Sequence, residues 1–213
     1  MIPVEWWGSD VPFVEAWERQ KRRRVGVWEG GPEVLALLEH RAVVTTGRRS
    51  VDIDETAVVR TERGGLATWH GPGQLVGYLV CDLRSRGLGA RATVHALEQG
   101  LIDFLGDDFG RRDGYPGVWH PIGKIASIGL HFSRGVSIHG FALNLRVSPC
   151  SWQGLTPCGI TDARPVSLHE IRPGAPTPER AHHDVGEGVV RALTQQPGGY
   201  RCREPERFGD LGS

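Results

Sequence analysis

The feature that most restricts the fold is a pair of strand-like runs, Lys124 to Phe132 and Val136 to Leu145, separated only by Ser133-Arg134-Gly135. A three-residue connector containing glycine between two such runs reads as a β-hairpin. Further strands are predicted at Ala42 to Thr46, Leu66 to His70, Gln74 to Leu83 and Val118-Trp119. Helices are predicted over Asp10 to Arg24, Thr93 to Leu105 and Glu179 to Leu193. The first would present Val11, Val14 and Trp17 on one face, carry Pro12 in its first turn and end at Gly26. The runs Val34 to Leu38 and Val166 to Ile171 fit either helix or strand. Strands and helices do not alternate as βα units, so the expected class is α+β, a mixed or antiparallel sheet flanked by helices.

At 213 residues the chain suits one domain, expected over residues 1–195, with a flexible polar tail at 196–213. Lys plus Arg equals Asp plus Glu at 25 each, so gross charge points to neither a nucleic-acid nor an anionic membrane partner. The basic run Lys21-Arg22-Arg23-Arg24 reads as the solvated end of a helix. The start of the chain lacks a signal-peptide layout and no apolar run reaches membrane-spanning length, so a cytoplasmic protein with reduced cysteines is expected. Cys81, Cys150, Cys158 and Cys202 form no C-x-x-C pair, and no metal site is expected.

Two segments carry chemistry. Pro157-Cys158-Gly159-Ile160 holds a thiol where regular helix is excluded, and Gly123-Lys124-Ile125-Ala126-Ser127-Ile128-Gly129 sets a lysine before an apolar run. A lone cysteine is more often a small buried residue than a nucleophile, and a lone strand lysine is usually exposed. Together they suggest Cys158 as an acyl-accepting nucleophile and Lys124 as the charge that activates it. The glycine-rich stretch Arg63-Gly64-Gly65-Leu66-Ala67-Thr68-Trp69-His70-Gly71-Pro72-Gly73-Gln74 is neither a P-loop nor a dinucleotide turn. It is either a pair of tight turns around a strand or a tunnel wall accepting a thin apolar chain. His70 suits a core or a site role equally, His139 reads as structural, and Asn144 is expected to bond backbone near the site.

In order and separation, the stretch from Arg63 to Gln74, the segment Gly123 to Gly129, His139-Gly140-Phe141-Ala142-Leu143-Asn144 and Pro157 to Ile160 resemble the four signatures of the lipoyl (octanoyl) transferases. The likeness extends from about Pro12 to Leu193. It implies a fold shared with lipoate and biotin ligases. It implies transfer of an octanoyl group from acyl carrier protein to a lysine of lipoyl domains, on 2-oxoacid dehydrogenases and the glycine cleavage H protein. By the resemblance Cys158 carries the acyl thioester and Lys124 lowers its pKa. The substrate is lined by Arg63, Gly64, Gly65, Leu66, Ala67, Thr68, Trp69, His70, Ser127, Ile128, Gly129, Gly140, Phe141 and Ala142. Leu66 and Trp69 stand where the family usually has glutamine and tyrosine, which bears on pocket shape. No cofactor is expected, since the acyl group arrives already activated on phosphopantetheine, and a monomer is expected. An ATP-dependent lipoate or biotin ligase and a non-catalytic lipoyl-domain binder are the alternatives.

A free thiol has a pKa of about 8.5, so only a small fraction is thiolate at neutral pH, and a nearby ammonium raises that fraction. Backbone N–H groups near Cys158 and Gly73 are expected to hold the oxyanion.

Overall fold

The computed structural model describes residues 1–48, 58–152 and 163–195. In chain order the elements are β1 (Val4–Trp6), α1 (Phe13–Trp28), β2 (Val34–Leu38), β3 (Val43–Thr46), β4 (Val58–Arg60), β5 (Thr68–His70), β6 (Gln74–Val80), α2 (Ala90–Leu105), β7 (Gly117–His120), β8 (Gly123–Ser133), β9 (Val136–Asn144), α3 (Leu168–Ile171) and α4 (Pro178–Gln195). Six strands form a sheet in the order β1-β2-β6-β9-β8-β7, in which only the β1/β2 pair is parallel. A second sheet, β4-β3-β5, is also mixed. The class is α+β, as the element pattern predicts.

The central strands β2, β6 and β9 are buried along their whole length, as strands covered on both faces must be. One face packs Leu35, Leu37, Leu75, Leu79 and Leu143 against Leu97 and Leu101 of α2 and Val185 and Val189 of α4. The other packs Ala36, Leu38, Val76, Tyr78, Ile138 and Ala142 against Ala16 and Val27 of α1. The hairpin stands as read: β8 and β9 pair from Ala126↔Leu143 to Ser133↔Val136.

Three expectations are corrected. Helix α1 continues past Gly26 to Trp28, because Val27 is buried and the Trp28 indole donates to the Ser133 carbonyl at 3.3 Å. Those contacts outweigh the roughly 1 kcal/mol that an interior glycine costs. Its buried face is Phe13, Ala16, Gln20 and Val27, not Val14, which is 55% exposed. The basic run therefore lies mid-helix, where Lys21 pairs with Glu18 and Arg23 with Glu5. Of the two ambiguous runs, Val34 to Leu38 is strand β2, and Leu168–Ile171 is a helical turn opened by a Ser167/Glu170 capping box.

Candidate active site

Lys124 lies in β8, only 8% exposed. Its N–H donates to the Arg164 carbonyl at 2.9 Å and its carbonyl accepts from Val166 N–H at 3.0 Å, so residues 164–166 run alongside it. Its Nζ stands 5.2 Å from the centre of the Trp119 ring on the neighbouring strand β7. Gly117, also on β7, leaves room for the lysine stem: a Cβ there would sit 2.7 Å from Lys124 Cε. Cys158 falls in 153–162, outside the described residues; the described chain resumes at Ala163, next to the limb that flanks Lys124.

Beyond Lys124 along β8 and β9 lies a narrow cleft of about 50 Å³. Arg63, Gly64, Gly65, Thr68, His70, Ser127, Ile128, Gly129, Gly140, Phe141 and Ala142 line it, together with Phe13, Val76, Tyr78 and His139. Gly129 faces Gly140 across the hairpin, and this side-chain-free pair makes the sheet surface hollow there. Leu66, Ala67 and Trp69 are not among the lining residues. In β5 the alternation that turns Thr68 and His70 toward the cleft carries Trp69 away from it, onto Trp152 at 5.4 Å between ring centres. The Leu66 and Trp69 departures thus leave the cleft wall untouched. A wider depression of about 540 Å³ borders Trp119 and Gly123, but Asp107, Asp108, Arg111 and Arg112 line it, chemistry unsuited to an alkyl chain.

Arg63 braces the glycine-rich wall rather than offering its charge outward. Its Nη1 donates to the Gly64 and Leu66 carbonyls, and its Nη2 to the Thr45 carbonyl and Oγ1. A buried polar relay joins that wall to the lysine strand. His70 Nδ1 donates to Gln74 Oε1 at 2.7 Å, Gln74 Nε2 to Asn144 Oδ1 at 3.0 Å, and Asn144 Nδ2 to the Val166 carbonyl at 3.1 Å. Asn144 therefore does bond backbone near Lys124. Burial pushes His70 down to about 3, helped by the neighbouring His40 and Arg63 charges, so its ring is neutral. Burial likewise lowers His40 to about 4; its Nε2 accepts from the Tyr78 hydroxyl at 2.6 Å. The Gly73 N–H donates to Glu39 Oε1 at 3.0 Å, which engages it away from any oxyanion.

Sequence reasoning missed Phe13, Val76 and Tyr78. The period-2 alternation of β6 carries Gln74, Val76 and Tyr78 onto one face and would have found the last two.

The lipoyl protein ligase A/B catalytic domain model matches residues 15–190. An octanoyltransferase of Mycobacterium tuberculosis is 41% identical over 193 residues, covering 86% of this chain and 84% of the relative. That of Halorhodospira halophila is 37% identical over 196 residues, covering 88% and 85%. The chain belongs to the octanoyltransferase family. It is an acyltransferase, and the fold extends to ligases that its sequence barely resembles. The P. falciparum LipL1 structure in complex with lipoate superposes with a TM-score of 0.65 at 14% identity, covering 93% of this chain and 64% of that one. The Leishmania major biotin protein ligase with biotinyl-5-AMP gives 0.55 at 13%, covering 91% and 73%. Among the described residues no helix is long and apolar enough to cross a membrane.

Proposed function

We propose that the chain moves an octanoyl group from acyl carrier protein to a lysine of lipoyl domains, including those of 2-oxoacid dehydrogenases and the H protein, through a thioester on Cys158. The observation that carries this is the apolar cleft running away from buried Lys124, whose strand edge is clamped to residues 164–166, just downstream of Cys158. In the first half-reaction the Cys158 thiolate attacks the octanoyl thioester carbonyl. The new carbon–sulfur bond forms as the old one breaks, and the pantetheine sulfur leaves as a thiol carrying the proton of the Lys124 ammonium, which becomes a neutral amine. The octanoyl chain lies in the cleft. In the second half-reaction the acceptor lysine amine attacks the Cys158 thioester. The amide forms, Cys158 is released as thiolate, and Lys124 takes the amine proton. The Lys124 ammonium favours the thiolate before each cycle.

The reading places a single catalytic unit in residues 1–195, acting as a monomer in the cytoplasm. Intact-mass measurement after mixing with octanoyl carrier protein tests it. One octanoyl adduct should appear, be absent in Cys158→Ser, and disappear when a lipoyl domain is added. An adduct that survives in Cys158→Ser would overturn the thioester.

A further inference from the structure

His139 is the odd residue of the cleft. It has a φ of 61° inside a buried strand, where a side chain larger than glycine's is strained. Strand alternation groups Ile138 and Ala142 on the α1 face and would send His139 to the opposite one. The left-handed backbone returns the ring to the α1 side, where it meets Tyr78 at 6.1 Å between ring centres and lines the cleft. Gln20 of α1 fixes this conformation by accepting the His139 N–H at 2.8 Å. The residue is 2% exposed, yet its Nε2 makes no hydrogen bond within 3.5 Å. Its polar neighbour is Glu62, whose Oε2 lies 3.6 Å away, longer than a well-formed hydrogen bond. Strain kept in a buried strand marks a position held for a task.

The hairpin register gives the place along the cleft. From the Lys124 end the paired positions are Ser127↔Ala142, Ile128↔Phe141, Gly129↔Gly140 and Leu130↔His139. His139 therefore stands at the far end, about 10 Å beyond the Ser127 pair at the rise of a strand, comparable to an extended octanoyl chain.

We propose that His139 is the chain-length stop of the acyl cleft. The assignment rests on the octanoyl reading above and deepens it. An octanoyl chain whose carbonyl lies at the Ser127 pair reaches the ring with its methyl. Two further methylenes in an open tunnel would tighten binding about 15-fold. Here they meet an imidazole whose main chain is held by Gln20 and which has no room to withdraw into the buried strand. The hydrophobic gain is cancelled at the carbon where the ring stands.

The test compares free octanoate, decanoate and dodecanoate by calorimetric titration, so the outcome does not depend on transfer. In the unmodified protein the longer acids should bind no tighter than octanoate. His139→Gly removes the ring and relieves the positive φ, and dodecanoate should gain at least 10-fold over octanoate. His139→Asn, whose side chain also tolerates that φ, should give a smaller gain, and circular dichroism establishes that both variants fold. Equal dodecanoate-to-octanoate ratios in all three proteins would overturn the stop. A photolabel at the terminal carbon of octanoate, applied to the unmodified protein, should mark the segment around His139 and Leu130. Labelling beside Lys124 instead would overturn it as well. Absence of an octanoyl adduct from the carrier would count against the transfer reading and leave these ratios unaffected.

Discussion

Asn144 Nδ2 donates to the Val166 main-chain carbonyl across 3.1 Å, and this contact ties strand β9 to the limb that flanks Lys124. Its Oδ1 also accepts from Gln74. All of this is buried, so truncation leaves donors and acceptors without partners. Each such group costs about 1–3 kcal/mol. Asn144→Ala is therefore expected to lose about 2–4 kcal/mol of stability by urea unfolding and to lower octanoyl turnover. Unchanged stability would mean that the relay carries no load.

Much of this was legible in the chain. The hairpin was readable because only Ser133-Arg134-Gly135 separates two apolar runs, and glycine-rich motifs announced most of the cleft wall. Helix α1 was misjudged at both its end and its face, because Trp28 is held by Ser133, a contact 105 residues away that local pattern cannot contain. The directions of the Trp69 and His139 side chains escape the sequence for a different reason. Side-chain direction is a property of the backbone, and neither the facing of a three-residue strand nor a left-handed φ inside a long one is written in residue type. Cys158 lies outside the described residues.

Lys124→Met keeps an unbranched stem against Trp119 while deleting the ammonium. The expected result is cooperative unfolding with turnover reduced at least about 100-fold, the usual scale for loss of a positioned proton acceptor. The rate of octanoyl adduct formation, read by intact mass at several pH values, separates the two proposed tasks. Loss of thiolate activation slows loading most at neutral pH and least at high pH. A variant with full turnover would remove Lys124 from the reaction.

Acid should weaken the fold well before the carboxylates titrate. His40 and His70 are lowered from 6.5 to about 4 and about 3, chiefly by burial, and burial moves His139 in the same direction. For a base with a depressed native value, the unfolded chain binds more protons than the native one below pH 6.5. Stability is thus full above that pH and falls as pH drops toward 4. Two such groups cost about 3 kcal/mol between pH 6.5 and 5 by linkage. Urea midpoints at pH 7, 6 and 5 check this, and a flat profile would contradict it.

The two described cysteines should differ in reactivity. Cys81 is fully buried; burial, and then the Glu33 carboxylate that accepts its S–H, push its thiol up to about 12. Cys150 is exposed. In Cys158→Ser, iodoacetamide at pH 8 should label Cys150 and spare Cys81 until the protein is unfolded. Peptide mapping reads this directly, and early labelling of Cys81 would mean that the sheet opens locally.

The facing glycines Gly129 and Gly140 should respond unequally to one added methyl. A Cβ on Gly140 would lie 2.3 Å from the Gly77 carbonyl oxygen, main chain on the adjoining strand β6, so the sheet itself must shift. Gly140→Ala is expected to cost about 3 kcal/mol or more. A Cβ on Gly129 meets the Gly64 carbonyl oxygen at 3.2 Å and Arg63 Cδ at 3.5 Å, a misfit that the glycine-rich wall absorbs by moving a few tenths of an ångström. Gly129→Ala should therefore fold with a loss near 1 kcal/mol, while its methyl narrows the hollow where the acyl chain lies. Its octanoyl adduct should form more slowly, with the deficit growing from hexanoyl to octanoyl donors as the chain extends past the new methyl. If Gly129→Ala loads octanoyl at the unmodified rate, the hollow between the two glycines is not where the chain lies.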